Sequence, residues 1–299
     1  MYLNKLDDVM KATYGCKVYK LALSSGCSCP NRDGTLGRRG CIFCDGAGAF
    51  AEAGPILEQL AGARQRVSAK LKKPAKYVAY FQSFTNTYAP VEVLEPMFRA
   101  AMEPEDVVAL SVATRPDCLG EDILALLGRC AEQKPVWVEL GLQTVHPDSA
   151  RYIRRGYDLP VYDEAVQKLK TLGITVVAHQ ILGLPGETKE MMWETSRYIG
   201  ASGADGIKLH LLHILRGTDL ARAWEQGSIP VMELDEYIRV LEGCVERLPR
   251  SLVIHRLTGD GAKRDLLVPL WSGDKKRVLN AINKAFLRDD VEQGRLFQP

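Results

Sequence analysis

Between Lys17 and Gln226, apolar β-branched runs alternate with helical patterns at a period of about thirty residues. That repetition limits the fold more than any other feature. The runs are KVYKLAL (17–23), YVAYFQ (77–82), VVALSV (107–112), VWVELGL (136–142), TVVAHQIL (175–182) and GIKLHLL (206–212). Helical spacing follows them over 56–71, 91–102, 121–131, 161–172, 189–198 and 219–226. Runs this continuous are buried on both faces, as parallel strands are. Six β-then-α units predict a parallel sheet with right-handed crossovers. No G-x-G-x-x-G fingerprint follows the first run, which weakens a dinucleotide-binding fold. The expected architecture is an incomplete (β/α)6 TIM-like barrel with a C-terminal extension. At 299 residues and 46% hydrophobic, the chain can bury such a core. Residues 1–14 are expected as an N-terminal helix, 15–230 as the partial barrel, and 231–299 as the extension closing the barrel side. Within that extension the pattern predicts helices over 234–247 and 275–287 and a candidate extra strand over 252–255.

Directly after the first strand comes CSCPNRDGTLGRRGCIFC (27–44), which holds four of the eight cysteines. Such a segment cannot form a hydrophobic core by itself, and it reads as a loop around an inorganic centre. No apolar run approaches the ~20 residues a membrane span needs. The first residues lack the apolar core of a signal peptide, so the expectation is a cytoplasmic protein with reduced thiols. Zinc through Cys27, Cys29, Cys41 and Cys44 competes with a cubane cluster on Cys29, Cys41 and Cys44 whose fourth iron stays open. Spacing leaves these two even. Position favours the cluster, because a loop after a barrel strand lies at the C-terminal mouth, where such folds do chemistry. Phe43 adds an apolar plane beside the open site.

The Cys29, Cys41, Cys44 set with Phe43 resembles, in a wider-spaced form, the cluster motif of radical SAM enzymes. CPNRDGTLGRRGCIFC, YFQSFTNTYAP (80–90), SVATRPDCL (111–119), ELGLQTVHPDS (139–149) and HQILGLPGET (179–188) together resemble the YhcC/YtqA family. That family is an Elp3-like branch of the superfamily, and its YtqA side is also called MnmL. The match runs in order over about residues 15–260, and Cys27 departs from it where an aromatic residue is expected.

The resemblance implies a [4Fe-4S] cluster and S-adenosyl-L-methionine, cleaved to a 5′-deoxyadenosyl radical that abstracts a substrate hydrogen. It places Gln82 and Ser83 at the methionine amino group, Glu139 and more weakly Gln143 at the ribose, and Gly183 and the backbone of Leu211 and Leu212 at the adenine. A glutamate in an apolar strand is costly unless paired. Arg115 and Lys208 are the candidates for holding a substrate anion, although Arg115 could instead clamp Asp117, and Glu139 could be the partner Lys208 needs. His179, His210 and His213 lie near inner strand ends. The implied substrate is the wobble uridine of tRNA, with conversion of a 5-carboxymethylaminomethyl group to 5-aminomethyl. A reducing donor such as flavodoxin or ferredoxin is implied too, and no acetyltransferase domain is expected.

The balance of 39 basic against 37 acidic residues gives no global polyanion-binding signature. Locally, 59–76 has no acid while Arg64, Arg66, Lys70, Lys72, Lys73 and Lys76 add six positive charges. With Lys275, Lys276 and Arg277, these would suit a phosphate backbone or simply a solvated face. The other readings are a radical SAM enzyme on a small anionic metabolite and a non-catalytic, zinc-stapled RNA-binding protein.

Overall fold

A computed structural model describes residues 2–46, 54–68, 74–259 and 263–298. Seven parallel strands form one sheet in the order β1-β2-β3-β4-β5-β6-β8. These are β1 (Val18–Leu23), β2 (Lys76–Phe81), β3 (Val107–Thr114), β4 (Val136–Gln143), β5 (Thr175–Leu182), β6 (Gly206–Leu211) and β8 (Val253–Arg256). Every neighbouring pair is parallel, so the sheet curls as a half-barrel. The candidate strand at 252–255 is real, and it extends the sheet beyond β6. A short antiparallel ladder, β7 (Ile214–Leu215) with β9 (Leu266–Val268), has no counterpart in the sequence reading. Two- and three-residue strands leave too short a pattern to detect.

The helices are α1 (Leu6–Tyr14), α2 (Pro30–Asp33), α3 (Ile56–Ser68), α4 (Val91–Met102), α5 (Glu121–Ala131), α6 (Pro147–Tyr152), α7 (Leu159–Thr171), α8 (Lys189–Ala201), α9 (Asp219–Glu225), α10 (Leu234–Glu246) and α11 (Lys275–Arg288). The short α2 and α6 were not foreseen. Hydroxyl and carboxylate side chains fix several helix starts. Thr188 accepts from the Met191 N–H, Thr218 from Ala221 and Asp274 from Arg277. Each such cap contributes about 1 kcal/mol.

Strand residues alternate between two destinations, as the pleat requires. In β4, Val136, Val138, Leu140 and Leu142 join the core under the helices. Trp137 and Glu139 point to the concave side instead. Trp137 packs with Val78 and Ala109, and Leu6 and Met10 of α1 cover this group. The N-terminal helix therefore plugs the floor of the half-barrel. None of the described helices is long and apolar enough to cross a membrane.

Candidate active site at the barrel mouth

The cysteine loop leaves the end of β1 and is tied down on two sides. Ser25 donates to Asn86 at 2.7 Å, and Asn86 donates to the carbonyl of Ala113 at the end of β3. Across the mouth, Asn31 Nδ2 donates to the Arg154 carbonyl at 2.7 Å and to Cys41 Sγ at 3.4 Å. The Ile42 N–H donates to the Ile153 carbonyl. The loop is thus strapped across the C-terminal strand ends, where the sequence placed it. Proline starts α2 just after Cys29, and Gly34 ends it at a φ of 103°.

No three described His, Cys, Asp or Glu side chains converge into a ready-made metal-ion site. The donor set nevertheless fits an anionic, thiolate-ligated group. Burial pushes the Cys41 thiol up to about 11, opposed by the Asn31 donor and augmented by Cys44 and Cys29. Burial disfavours the charge on Arg32, but Cys44, Cys29 and Cys41 together hold its guanidinium charged. Arg32 also donates to the Cys44 carbonyl at 2.7 Å. All three thiols thus act on Arg32, Cys29 and Cys41 also lie within electrostatic reach of Arg115, and Asn31 donates to Cys41. Cys27 stands apart: it lies in the hydrophobic core with Leu21 and Leu23. Cys118 is a thiol the sequence reading set aside, and it feels both Arg115 and Cys29. Phe43 packs against the cluster formed by Ile42, Ile153 and Leu220.

Around the mouth, the Ser83 hydroxyl is buried with no hydrogen-bond partner among the described residues. The next residue, Phe84, takes a left-handed φ of 61°, and Gln143 takes 70°. Both are conformations a non-glycine residue adopts only when its surroundings enforce them. Gln82 is partly exposed, and its N–H donates to the Leu23 carbonyl. Gly183 has a φ of 91°, and a Cβ there would meet the Met232 methyl at 2.8 Å. Gly183, Leu211 and Leu212 line a small cavity with Pro230, Val231 and Met232. The Leu212 N–H is already used on the Leu182 carbonyl.

The two charged candidates lie deeper than the sequence implied. Arg115 makes a two-pronged pair with Asp117 (2.8 and 2.7 Å) and donates to the Arg155 carbonyl. Of the two roles open to it, the geometry favours the clamp. Glu139 is 1% exposed and accepts four hydrogen bonds. Lys20 (2.7 Å) and Ser111 (2.9 Å) bond one oxygen, while His179 (2.8 Å) and Lys208 bond the other. A carboxylate offers about four acceptor positions. Glu139 is saturated, and a ribose hydroxyl would have to displace one of these donors.

Burial opposes ionisation of Glu139, but Lys20, Lys208 and His179 outweigh it and hold the carboxyl well below its usual range. One carboxylate cannot fully offset two ammonium groups. Burial, reinforced by Lys20 and Arg256, accordingly lowers the more enclosed Lys208. Lys208 also donates to the Tyr80 hydroxyl at 2.9 Å. Burial and Lys208 push His179 down to about 4, so it stays neutral near pH 7.

The sequence model of the Radical SAM superfamily matches residues 34–199, and that of the Radical SAM C-terminal domain matches 204–288. YtqA of Bacillus subtilis (strain 168) is 43% identical over 97% of this chain and 91% of its own length. The tRNA uridine(34) acetyltransferase of Methanocaldococcus jannaschii is 27% identical over 51% of the chain, which spans 28% of that protein. Among solved structures, Methanocaldococcus infernus Elp3 with its N-terminus deleted superposes with a TM-score of 0.70 at 17% identity. That likeness covers 92% of this chain and 64% of the other, and it shows the fold. The chain belongs to the radical SAM superfamily, in the Elp3-like group that contains YtqA. It is an enzyme of the class that uses a 4Fe-4S cluster and S-adenosylmethionine.

Proposed function

We propose that this radical SAM enzyme acts on the wobble uridine of tRNA, converting a 5-carboxymethylaminomethyl group to 5-aminomethyl. The two-carbon unit leaves as glyoxylate, with S-adenosylmethionine taking up the two electrons and water supplying the aldehyde oxygen. The observation that carries the reading is the likeness of half the chain to proteins named for uridine 34 of tRNA. In this reading Cys29, Cys41 and Cys44 hold the cluster and Phe43 flanks it. When bound, the reduced cluster and S-adenosylmethionine supply a 5′-deoxyadenosyl radical able to take a hydrogen from carbon.

The chain's own residues bind, orient and exclude water. Ser83, with its buried and unpartnered hydroxyl, offers an acceptor to the methionine ammonium, and Gln82 stands beside it. Gln143 sits where the chain bends sharply at the end of β4, suited to the ribose. Gly183 and the backbone of Leu211 and Leu212 would accept the adenine once Met232 moves aside. The Glu139 network supports the substrate end: Lys20 keeps a side-chain exposure of 24%, against 3% for Lys208 and none for Glu139. Lys20 pairs in register with Val78 of the floor group and its ammonium lies over Trp137, so in this reading Lys208 and Arg115 remain the residues that hold an incoming carboxylate. The division into a helix over 1–14, a partial barrel over 15–230 and an extension over 231–299 belongs to the same reading. So does a reducing partner such as flavodoxin or ferredoxin.

The test is anaerobic incubation of cluster-loaded protein with reductant, S-adenosylmethionine and tRNA carrying the carboxymethylaminomethyl group, followed by nucleoside mass spectrometry. The expected result is the aminomethyl nucleoside together with 5′-deoxyadenosine. An unchanged nucleoside profile with an intact cluster would overturn the tRNA reading and favour a small anionic metabolite.

A further inference from the structure

We infer that an arginine-lined groove on the outer side of the cysteine loop docks the phosphate backbone of the RNA whose base enters the mouth. The inference rests on the tRNA reading above. The groove encloses about 770 Å³, with Leu36–Gly40 forming one wall and residues 145–160 the other. Arg38, Arg39, Arg151, Arg154 and Arg155 line it, against Asp158 as the acidic residue among the lining. The same tripeptide supplies both walls: Arg38-Arg39-Gly40 and Arg154-Arg155-Gly156. Both glycines turn the chain at positive φ (72° and 85°). At Gly156 a Cβ would come within 2.8 Å of Asn31 Oδ1 and 3.2 Å of Arg115, so the groove floor needs glycine.

Counterions do not cancel these arginines. Arg154 pairs with Asp219, which Arg39 approaches at 3.7 Å, and Arg151 pairs with Asp148. Arg155 is buried and spends its donors on the carbonyls of Leu142, Thr144 and Tyr157. Arg38 is exposed and forms no ion pair with a described residue. Even with Asp158, Asp148 and Asp219 all counted, two of the five guanidinium charges remain in excess.

The chemistry points to phosphate. Arginine forks match phosphate oxygens two at a time, and the exposed Arg38 and Arg39, with Arg151 and Arg154 on the facing wall of a concave groove, suit a thin, repeating polyanion better than a flat protein face. Leu36, 53% exposed on the rim, offers an apolar surface for a sugar or base. The groove also adjoins the reacting centre: Asn31 lines it and donates to Cys41 Sγ. A backbone held there would leave its neighbouring nucleotide at the mouth.

Fluorescence anisotropy of a labelled anticodon stem-loop, titrated with cluster-loaded full-length protein at several salt concentrations, tests the inference. Arg38→Ala/Arg39→Ala should weaken binding about tenfold or more and flatten the log–log salt slope by roughly 1.4 to 1.8, the loss of two phosphate contacts. Arg38→Lys/Arg39→Lys should keep most of the slope while losing affinity, since lysine cannot bind two oxygens at once. Lys11→Ala/Lys17→Ala, at the opposite end of the barrel, should change neither. Iron content and visible absorbance matching wild type show that each variant is folded. Wild-type affinity and slope in the Arg38→Ala/Arg39→Ala protein overturn the groove while leaving the tRNA reading intact. The same result with slowed cluster reduction by flavodoxin reassigns the groove to an acidic electron carrier. Wild-type protein with no salt-sensitive affinity for the stem-loop removes the tRNA reading, and the groove assignment with it.

Discussion

Glu139 shows what a single residue costs and contributes. Its four donors come from β1, β3, β5 and β6, so one carboxylate ties the half-barrel across its concave face. Glu139→Gln leaves two lysines facing a neutral amide in a buried site. The expected loss is about 3–5 kcal/mol, read as a lower denaturation midpoint under anaerobic conditions. Lys20→Met should cost less, because Lys20 can be replaced by water at its exposed end.

Acid acts in the same place. His179 is held at about 4 when folded against 6.5 in its ordinary state, so the unfolded chain binds the extra proton. Stability must then fall as pH drops from about 6.5 towards 4, and further below about 4.5 as Glu139 is forced to protonate. Burial likewise holds His210 and His255 below their ordinary value, so His179→Gln should remove only its own share of the slope in the upper window while leaving the lower one. The sequence marked Glu139 and Lys208 as unusual, because charges inside apolar strands need partners. It could not supply Lys20, Ser111 or His179 as those partners, since strand order and register lie in no local pattern.

At the scale of elements, the cysteine loop and the six strand–helix units were readable from spacing alone. Long apolar runs and turn residues signal themselves. The strap residues did not. Asn31 and Arg32 looked like ordinary loop polarity in CPNRDG, yet Asn31 holds the loop to the turn after α6 and Arg32 feels three thiols. The arginine groove escaped for another reason: its halves lie more than a hundred residues apart, and only the fold brings them together. The expected basic stretch over 64–76 falls partly outside the described residues, at 69–73.

The loop makes a sharp prediction about its odd cysteine. Cys27 belongs to the core and stands apart from the thiols that sense Arg32. Cys27→Ala should therefore retain about four irons per chain and the brown colour of the cluster, with a modest stability loss. Cys29→Ala should lose both. One zinc per chain, lost in Cys27→Ala, would reverse the assignment.

The whole molecule is closed by its two ends. The Ile254 N–H donates to the Asn4 carbonyl, and the Asn4 side chain reaches back to the Ser251 carbonyl at 3.0 Å. On the far side, the Trp271 indole N–H donates to the Met232 carbonyl at 3.1 Å and its ring meets Tyr237. The C-terminal region thus pins the segment that covers Gly183. Trp271→Ala should loosen it, with hydrogen exchange at Val231 and Met232 rising by an order of magnitude or more while β5 and β6 stay protected. Equal protection in both proteins would show that the ladder of β7 and β9 suffices to hold it.

Leu6 and Met10 of α1 sit under Trp137 like a stopper. A vessel stoppered at its base empties where it fills. Cofactor, substrate and spent products share the upper approach, and a nucleic acid seated across the rim would bar exchange of whatever lies below. On the tRNA reading proposed above, turnover would become a queue: S-adenosylmethionine would enter first, the macromolecule second, and the fragments of the cofactor would leave only after the macromolecule had lifted away.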